Sequence, residues 1–193
     1  MSEINELIER LCPKGVDYKP LRSICRINRG TRVVKSELED SGSIPVFQNS
    51  LTPLGYYGES NYPADTVFVI SAGAAAEIGY SDVPFWAADD CLAFSCPDDV
   101  SSKYVYYCLM RFQGVLKSRV RKASIPRLSR EEVEKLEIPV PPIEVQRKIV
   151  EVLDNFSELT AELTAELTAE LTARQKQYEY YRDNLLNFSK LNG

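Results

Sequence analysis

The chain has 193 residues, 44% of them hydrophobic, which is enough for one globular domain of ordinary size plus an extension and crowded for two. It has five cysteines without a Cys-x-x-Cys pair and no histidine, so zinc-finger spacing and histidine-based catalysis are excluded. The formal charge of −5 argues against a nucleic-acid partner only as a sum, because DNA responds to how charge is distributed.

The opening segment, MSEINELIERLCPKG, is acidic where a signal peptide needs a basic start, and no run of about 18 apolar residues follows anywhere. A cytoplasmic location and reduced thiols that pack as small apolar residues are therefore expected. From Lys19 to Lys35 there are six basic residues (Lys19, Arg22, Arg26, Arg29, Arg32, Lys35) and no acidic one. Turn-rich pieces come next: Ser41-Gly42-Ser43, Pro53-Leu54-Gly55 and Gly58 to Pro63. Val67-Phe68-Val69-Ile70 and Cys91-Leu92-Ala93-Phe94 read as short buried strands, with a turn at Ser81-Asp82-Val83-Pro84 between them. A helix is expected near Ser101–Leu116. From Arg111 to Arg130 there is a second acid-free basic run: Arg111, Lys117, Arg119, Arg121, Lys122, Arg127 and Arg130. The two windows hold 13 of the 23 lysines and arginines, which leaves the rest of the chain strongly acidic. A basic run is ordinarily a solvated face; two acid-free runs in one small domain raise the case for a polyanionic partner.

At Ile138-Pro139-Val140-Pro141-Pro142 the pattern changes, since prolines this dense end a strand and can set the first turn of a helix. From Ile143 to Phe188 there is neither proline nor glycine, and apolar residues recur at helical spacing through Ile149, Leu153 and Phe156. A helix of about 45 residues would run roughly 68 Å, too long to bury in so small a domain, so it should find a partner helix. The expected fold is α+β: a mixed globular domain of short strands and loops over residues 1–140, then one long C-terminal α-helix over residues 141–193.

Within that helix Thr-Ala-Glu-Leu occurs three times in identical form, at residues 160–163, 164–167 and 168–171. Leu159, Leu163, Leu167 and Leu171 are four apart, so on a helix they form a stripe that advances about 40° per repeat. A leucine stripe is ordinarily packing, and a repeat can be the mere residue of slippage. These tetrads, however, hold only helix-compatible residues, so each copy gained or lost changes length by roughly 6 Å without breaking the rod.

The proline junction continuing as Ile143-Glu144-Val145-Gln146-Arg147-Lys148-Ile149-Val150, followed by a long helix, resembles the junction between recognition domain and spacer helix in type I restriction-modification specificity subunits. The tetrad resembles the variable spacer repeat of some members. Cys12-Pro13-Lys14-Gly15-Val16-Asp17-Tyr18, Arg29-Gly30 and Phe85-Trp86-Ala87-Ala88-Asp89-Asp90 also look like the family. The resemblance implies a non-catalytic subunit that directs DNA binding and holds no cofactor itself. Partner modification subunits would methylate adenine with S-adenosylmethionine, and partner restriction subunits would use ATP and magnesium. No methyltransferase Asn/Asp-Pro-Pro-Tyr/Phe motif or phosphate-binding glycine loop is present. A full-length member has two recognition domains and two antiparallel spacer helices, whereas this chain holds one of each. The resemblance therefore implies a homodimer, paired through an antiparallel coiled coil, that reads an interrupted palindrome in double-stranded DNA.

Phosphate contacts position such a protein and base-edge contacts specify its sequence. Arg29, Arg32, Lys35, Lys117, Arg119, Arg121, Lys122 and Arg127 are the candidates for positioning; Gln48, Asn49, Ser50, Tyr56 and Tyr57 are the candidates for reading bases. Leu153, Phe156, Leu159, Leu163, Leu167, Leu171, Tyr178 and Tyr181 are candidates for the dimer seam or the modification-subunit contact. Trp86 is expected in the core, and Asp89 and Asp90 as loop or capping residues. Competing readings are a coiled-coil adaptor, an independent DNA-binding regulator and an inactive severed half.

Overall fold

The protein is described from a computed structural model covering residues 2–39 and 42–188; Ser41 of the first turn-rich piece lies outside the described residues. Helix α1 (Ser2–Leu11) was not anticipated, although Ile4, Leu7, Ile8 and Leu11 have helical spacing and Ile4 is buried. Strands β1 (Tyr18–Pro20), β2 (Arg26–Arg29), β3 (Ile44–Phe47), β4 (Gly55–Tyr57), β5 (Thr66–Ile70), β6 (Ile78–Ser81), β7 (Trp86–Ala87) and β8 (Cys91–Ser95) follow. Helices α2 (Ser102–Ser118) and α3 (Arg130–Glu134), strand β9 (Glu137–Pro139) and helix α4 (Ile143–Leu185) complete the described elements. Two turn pieces are shorter than expected, because Gly55 opens β4 and Ser81 closes β6.

The central sheet has the order β2-β8-β5-β6 and is antiparallel throughout. Every residue of β5 is buried, as are four of the five in β8, because the sheet is covered on both faces. Alternate side chains therefore enter different cores. Val67 and Val69 pack with Leu92 and Phe94 toward Val105 and Leu109 of α2. Phe68 and Ile70 face an aromatic cluster in which Phe68 lies 4.8 Å from Phe47 and 5.2 Å from Phe85, ring centre to ring centre. Covering each such side chain contributes about 1.5–3 kcal/mol, which explains why these strands read as unbroken apolar runs. A second sheet, β4-β3-β7, is antiparallel on one side of β3 and parallel on the other. The β1–β9 pair sets Lys19 opposite Ile138 and joins the start of the fold to its end.

Cys25, Cys91 and Cys108 are buried and all five thiols are free. Burial pushes the Cys91 thiol up to about 12, so at neutral pH it is an uncharged packing group that donates to the Phe47 carbonyl at 3.2 Å.

Two compact units divide the chain, Met1–Val150 and Glu151–Gly193. Val145 and Gln146 bring the first turns of α4 into the first unit, each 1% exposed. Pro141 and Pro142 have no N–H to leave unsatisfied at this helix start, and the Pro142 carbonyl accepts from Val145 N and Gln146 N. The Gln146 amide clamps three segments together. Its Oε1 accepts from Ser101 N at 3.0 Å, and its Nε2 donates to the carbonyls of Pro141 at 2.9 Å and Asp99 at 3.3 Å. Gln146→Ala strands those buried groups and is expected to cost about 1–3 kcal/mol or more, read from denaturant unfolding followed by the lone Trp86. An unchanged midpoint would mean that water replaces the clamp.

The second unit is described by its own helix. From Asn155 to Phe188 every residue is exposed, including the stripe Leu159, Leu163, Leu167 and Leu171 at 56–61%. The repeat threonines turn their hydroxyls onto their own helix, Thr164 Oγ1 donating to the Thr160 carbonyl and Thr168 Oγ1 to the Thr164 carbonyl, both at 2.7 Å. Each tetrad thus satisfies its own polar side chain and leaves the leucine as its outward apolar group. Within the expected span of 141–193, α4 ends at Leu185: Leu186 N still donates to Arg182 O, but Asn187 N and Phe188 N turn to closer carbonyls.

Candidate nucleic-acid interface

Arg29 ends β2, paired with Leu92 of β8. Gly30 follows because nothing larger fits: a Cβ there would lie 2.1 Å from the Ala87 carbonyl oxygen. Thr31 N donates to that oxygen at 2.9 Å, and the Thr31 carbonyl accepts from Trp86 Nε1 at 2.8 Å. This corner fixes Arg29 at a rim and sends Arg32 and Lys35 on into exposed chain.

The second basic window reaches the same rim from the other side. After α2 the chain forms a loop closed by reciprocal backbone bonds, Arg121 N to Arg127 O at 2.8 Å and Arg127 N to Arg121 O at 3.2 Å. Leu128, 2% exposed, anchors it, and Leu128 N donates to Ser71 O at 2.8 Å. Arg29, Arg119, Arg121 and Arg127 thereby line one open cleft of about 500 Å³, together with Ser71, Leu128, Ser129 and Glu132. Arg119 Nη1 lies 3.3 Å from Glu132 Oε2, so one of the four cations is already paired. No ion pair engages Arg29, Arg121 or Arg127 among the described residues. Three guanidiniums without a counter-charge around an open cleft suit a polyanion better than an enclosed small ligand. A second, smaller cleft joins the two windows through Arg22, Arg26 and Arg130, the last already paired with Glu134 at 2.6 Å.

Gly73, at φ +83°, joins this rim to a neighbouring loop. Its N–H donates to the Pro126 carbonyl at 3.2 Å, and Ala74 N donates to the Asn49 carbonyl at 2.9 Å. A Cβ on Gly73 would meet the Asn49 carbonyl oxygen at 2.8 Å. The Gln48-Asn49-Ser50 loop therefore sits beside the Arg121–Arg127 loop, with Asn49 exposed and Gln48 and Ser50 half-buried.

Other anticipated residues lie away from the cleft lining. Tyr56 is 49% exposed on β4, whereas Tyr57 is half-buried with its ring edge-on to Trp86 at 5.1 Å. Trp86 is half-buried in the small cluster around Val46 and Ala88. Lys117 is exposed on the last turn of α2, and Lys122 on the loop tip. Asp89 and Asp90 lie in the turn before β8, and Asp89 Oδ1 is buried without a hydrogen-bond partner. In the second unit, Leu153 is half-buried while Phe156, Leu159, Leu163, Leu167, Leu171, Tyr178 and Tyr181 are all exposed. Sequence reasoning missed Ile125, 51% exposed between Lys122 and Arg127. Its only signal is an apolar residue on no periodic stripe inside an otherwise polar basic run.

An antiparallel sheet covered on both faces, an arginine-lined cleft and a long helix exposed from Asn155 onward define a module with a basic cleft followed in the chain by a helical rod. The chain belongs to the type I restriction modification DNA specificity domain family, whose model matches residues 13–173. A Haemophilus influenzae protein assigned as a type I restriction enzyme specificity subunit is 36% identical over 197 residues, covering 92% of this chain and 48% of that protein. The type I restriction enzyme EcoprrI specificity subunit of Escherichia coli is 29% identical, over 98% of this chain and 54% of that one. A crystal structure of a type I restriction-modification S subunit from M. genitalium shares the fold with a TM-score of 0.68 at 18% identity, over 90% of this chain and 48% of that one. This chain thus spans about half the length of these relatives. No described helix is long and apolar enough to cross a membrane.

Proposed function

We propose that this chain is a half-length DNA-specificity subunit of a cytoplasmic type I restriction-modification complex. The observation that carries the reading is the open cleft where Arg29, from one acid-free window, meets Arg119, Arg121 and Arg127 from the other. Such a surface neutralises phosphates and fixes the register of a duplex, while Gln48, Asn49 and Ser50, on the adjoining loop, offer the amide and hydroxyl groups that read base edges.

Residues 1–140 act as the recognition domain and residues 141–193 as the spacer, with the tetrads at 160–171 inside it. Two copies pair their exposed helices antiparallel in a coiled coil, so a true twofold places identical recognition domains at its two ends. The target is then an interrupted palindrome of two inverted half-sites. The subunit itself carries out no chemistry. Modification subunits that dock on the helix methylate adenine with S-adenosylmethionine, and restriction subunits add cleavage with ATP and magnesium.

Single-molecule sequencing of a genome methylated by this chain co-expressed with its cognate modification subunit tests the reading. One interrupted palindrome with methylated adenines in both half-sites is the expected result. Dimerisation with no methylation and no salt-dependent DNA affinity would favour a coiled-coil adaptor instead.

A further inference from the structure

The loop between Arg121 and Arg127 carries a role beyond phosphate contact. We propose that it enters a groove of the bound duplex tip first and that Ile125 acts as an apolar wedge between adjacent base pairs. The inference rests on the DNA-recognition reading and names the part of the surface that deforms the DNA.

Four features converge on it. The loop is rigid, because reciprocal Arg121–Arg127 backbone bonds close its base, the Pro126 carbonyl accepts from Gly73 N, and Leu128 is buried beneath. Pro126 has a fixed φ and disfavours a helical backbone at the residue before it, and Ile125 sits in a bend. Ile125, half exposed at 51%, is the large apolar side chain of this tip, where solvent contact stabilises nothing. The flanking Arg121 and Arg127 line the cationic cleft, so phosphates on either side of an entered groove meet guanidiniums. The tip residues Lys122, Ala123, Ser124, Ile125 and Pro126 include no Asn, Gln, Asp or Glu. Lys122 and Ser124 can still donate to base edges, whereas the Ile125 side chain can make only apolar contact with bases or separate them. Unstacking one step bends the duplex and lowers the cost of extruding a nearby base for methylation.

The test uses the complex with the modification subunit and duplexes of the mapped motif, each carrying 2-aminopurine at a single adenine position. The wild-type complex is expected to raise the fluorescence of a base away from the methylated adenine. Ile125→Ala should lose that rise and bind about tenfold more weakly, with the methylated motif and salt slope unchanged, while Ile125→Leu restores the rise. A rise that persists in Ile125→Ala overturns the wedge. So does a thymine-to-uracil change that weakens the wild type but not Ile125→Ala, since Ile125 would then be reading a thymine methyl. Loss of modification-subunit binding in Ile125→Ala overturns it in favour of a protein contact. A wild-type complex with neither salt-dependent DNA binding nor methylation would instead remove the underlying reading.

Discussion

Replacing Arg29, Arg121 and Arg127 together with alanine is expected to abolish site-directed methylation while leaving the fold intact. All three are exposed, and none is held by a carboxylate among the described residues, so their loss should change stability by no more than about 0.5 kcal/mol each. Each phosphate neutralised releases counterions worth about 0.9 in the slope of log K against log salt. The triple variant should therefore lower that slope by between two and three and weaken binding on the order of 1,000-fold or more, since hydrogen bonds to charged groups contribute about 1.5–3 kcal/mol each. Glu132→Gln provides the control of opposite sign. It removes the one carboxylate in the cleft lining, releases Arg119 from its 3.3 Å pair, and should tighten binding several-fold. Fluorescence anisotropy on a labelled duplex, titrated at several salt concentrations, measures both effects. Equal affinity and slope for the triple variant and the wild type would place the DNA elsewhere on the protein.

How much of this was legible from the residues depends on whether the determining contacts are local. β5 and β8 stood out because they are buried on both faces and so carry unbroken apolar runs. α2 was expected near the residues it occupies, where the structure adds a Ser101 N-cap, and α4 announced itself by a proline junction with a long break-free stretch. β2 did not, since only Ile27 of its four residues is buried and its pairing partner, β8, lies more than sixty residues away. α1 was legible in the helical spacing of Ile4, Leu7, Ile8 and Leu11, although its acidic residues alone say only that the segment is not a signal peptide. The two basic windows were visible as charge runs, yet nothing local says that they share a rim. That follows from Gly30 lying against Ala87 and from the Ser71–Leu128 bond, both of which are long-range contacts. Ile125 has no periodic signature, because a rigid loop is specified by its own backbone bonds and not by a repeating face.

Deleting one Thr-Ala-Glu-Leu tetrad is expected to shorten the gap of the methylated palindrome by one to two base pairs and to leave both half-sites unchanged. The helix tolerates the deletion because each repeat threonine bonds a carbonyl one turn back, so removing four residues re-forms the same bond one repeat earlier. Length falls by about 6 Å, against about 3.4 Å of rise per base pair in B-DNA. The apolar face turns by only about 40°, small enough for an adjoining leucine to take up the pairing. Deleting a single residue makes the contrast. It shortens the rod by only about 1.5 Å but rotates everything beyond it by about 100°, carrying Tyr178 and Tyr181 off the face set by Leu163 and Leu167. That variant should lose methylation altogether, although its length has barely changed. A third variant, Thr164→Ala with Thr168→Ala, preserves length and phase and should preserve the gap. Mapping methylated adenines for all three separates a ruler from a seam. A gap that ignores the tetrad deletion would mean that the spacing is set outside this helix. A four-residue and a one-residue deletion that fail alike would mean that the leucine stripe is a fixed interface and not an adjustable rod.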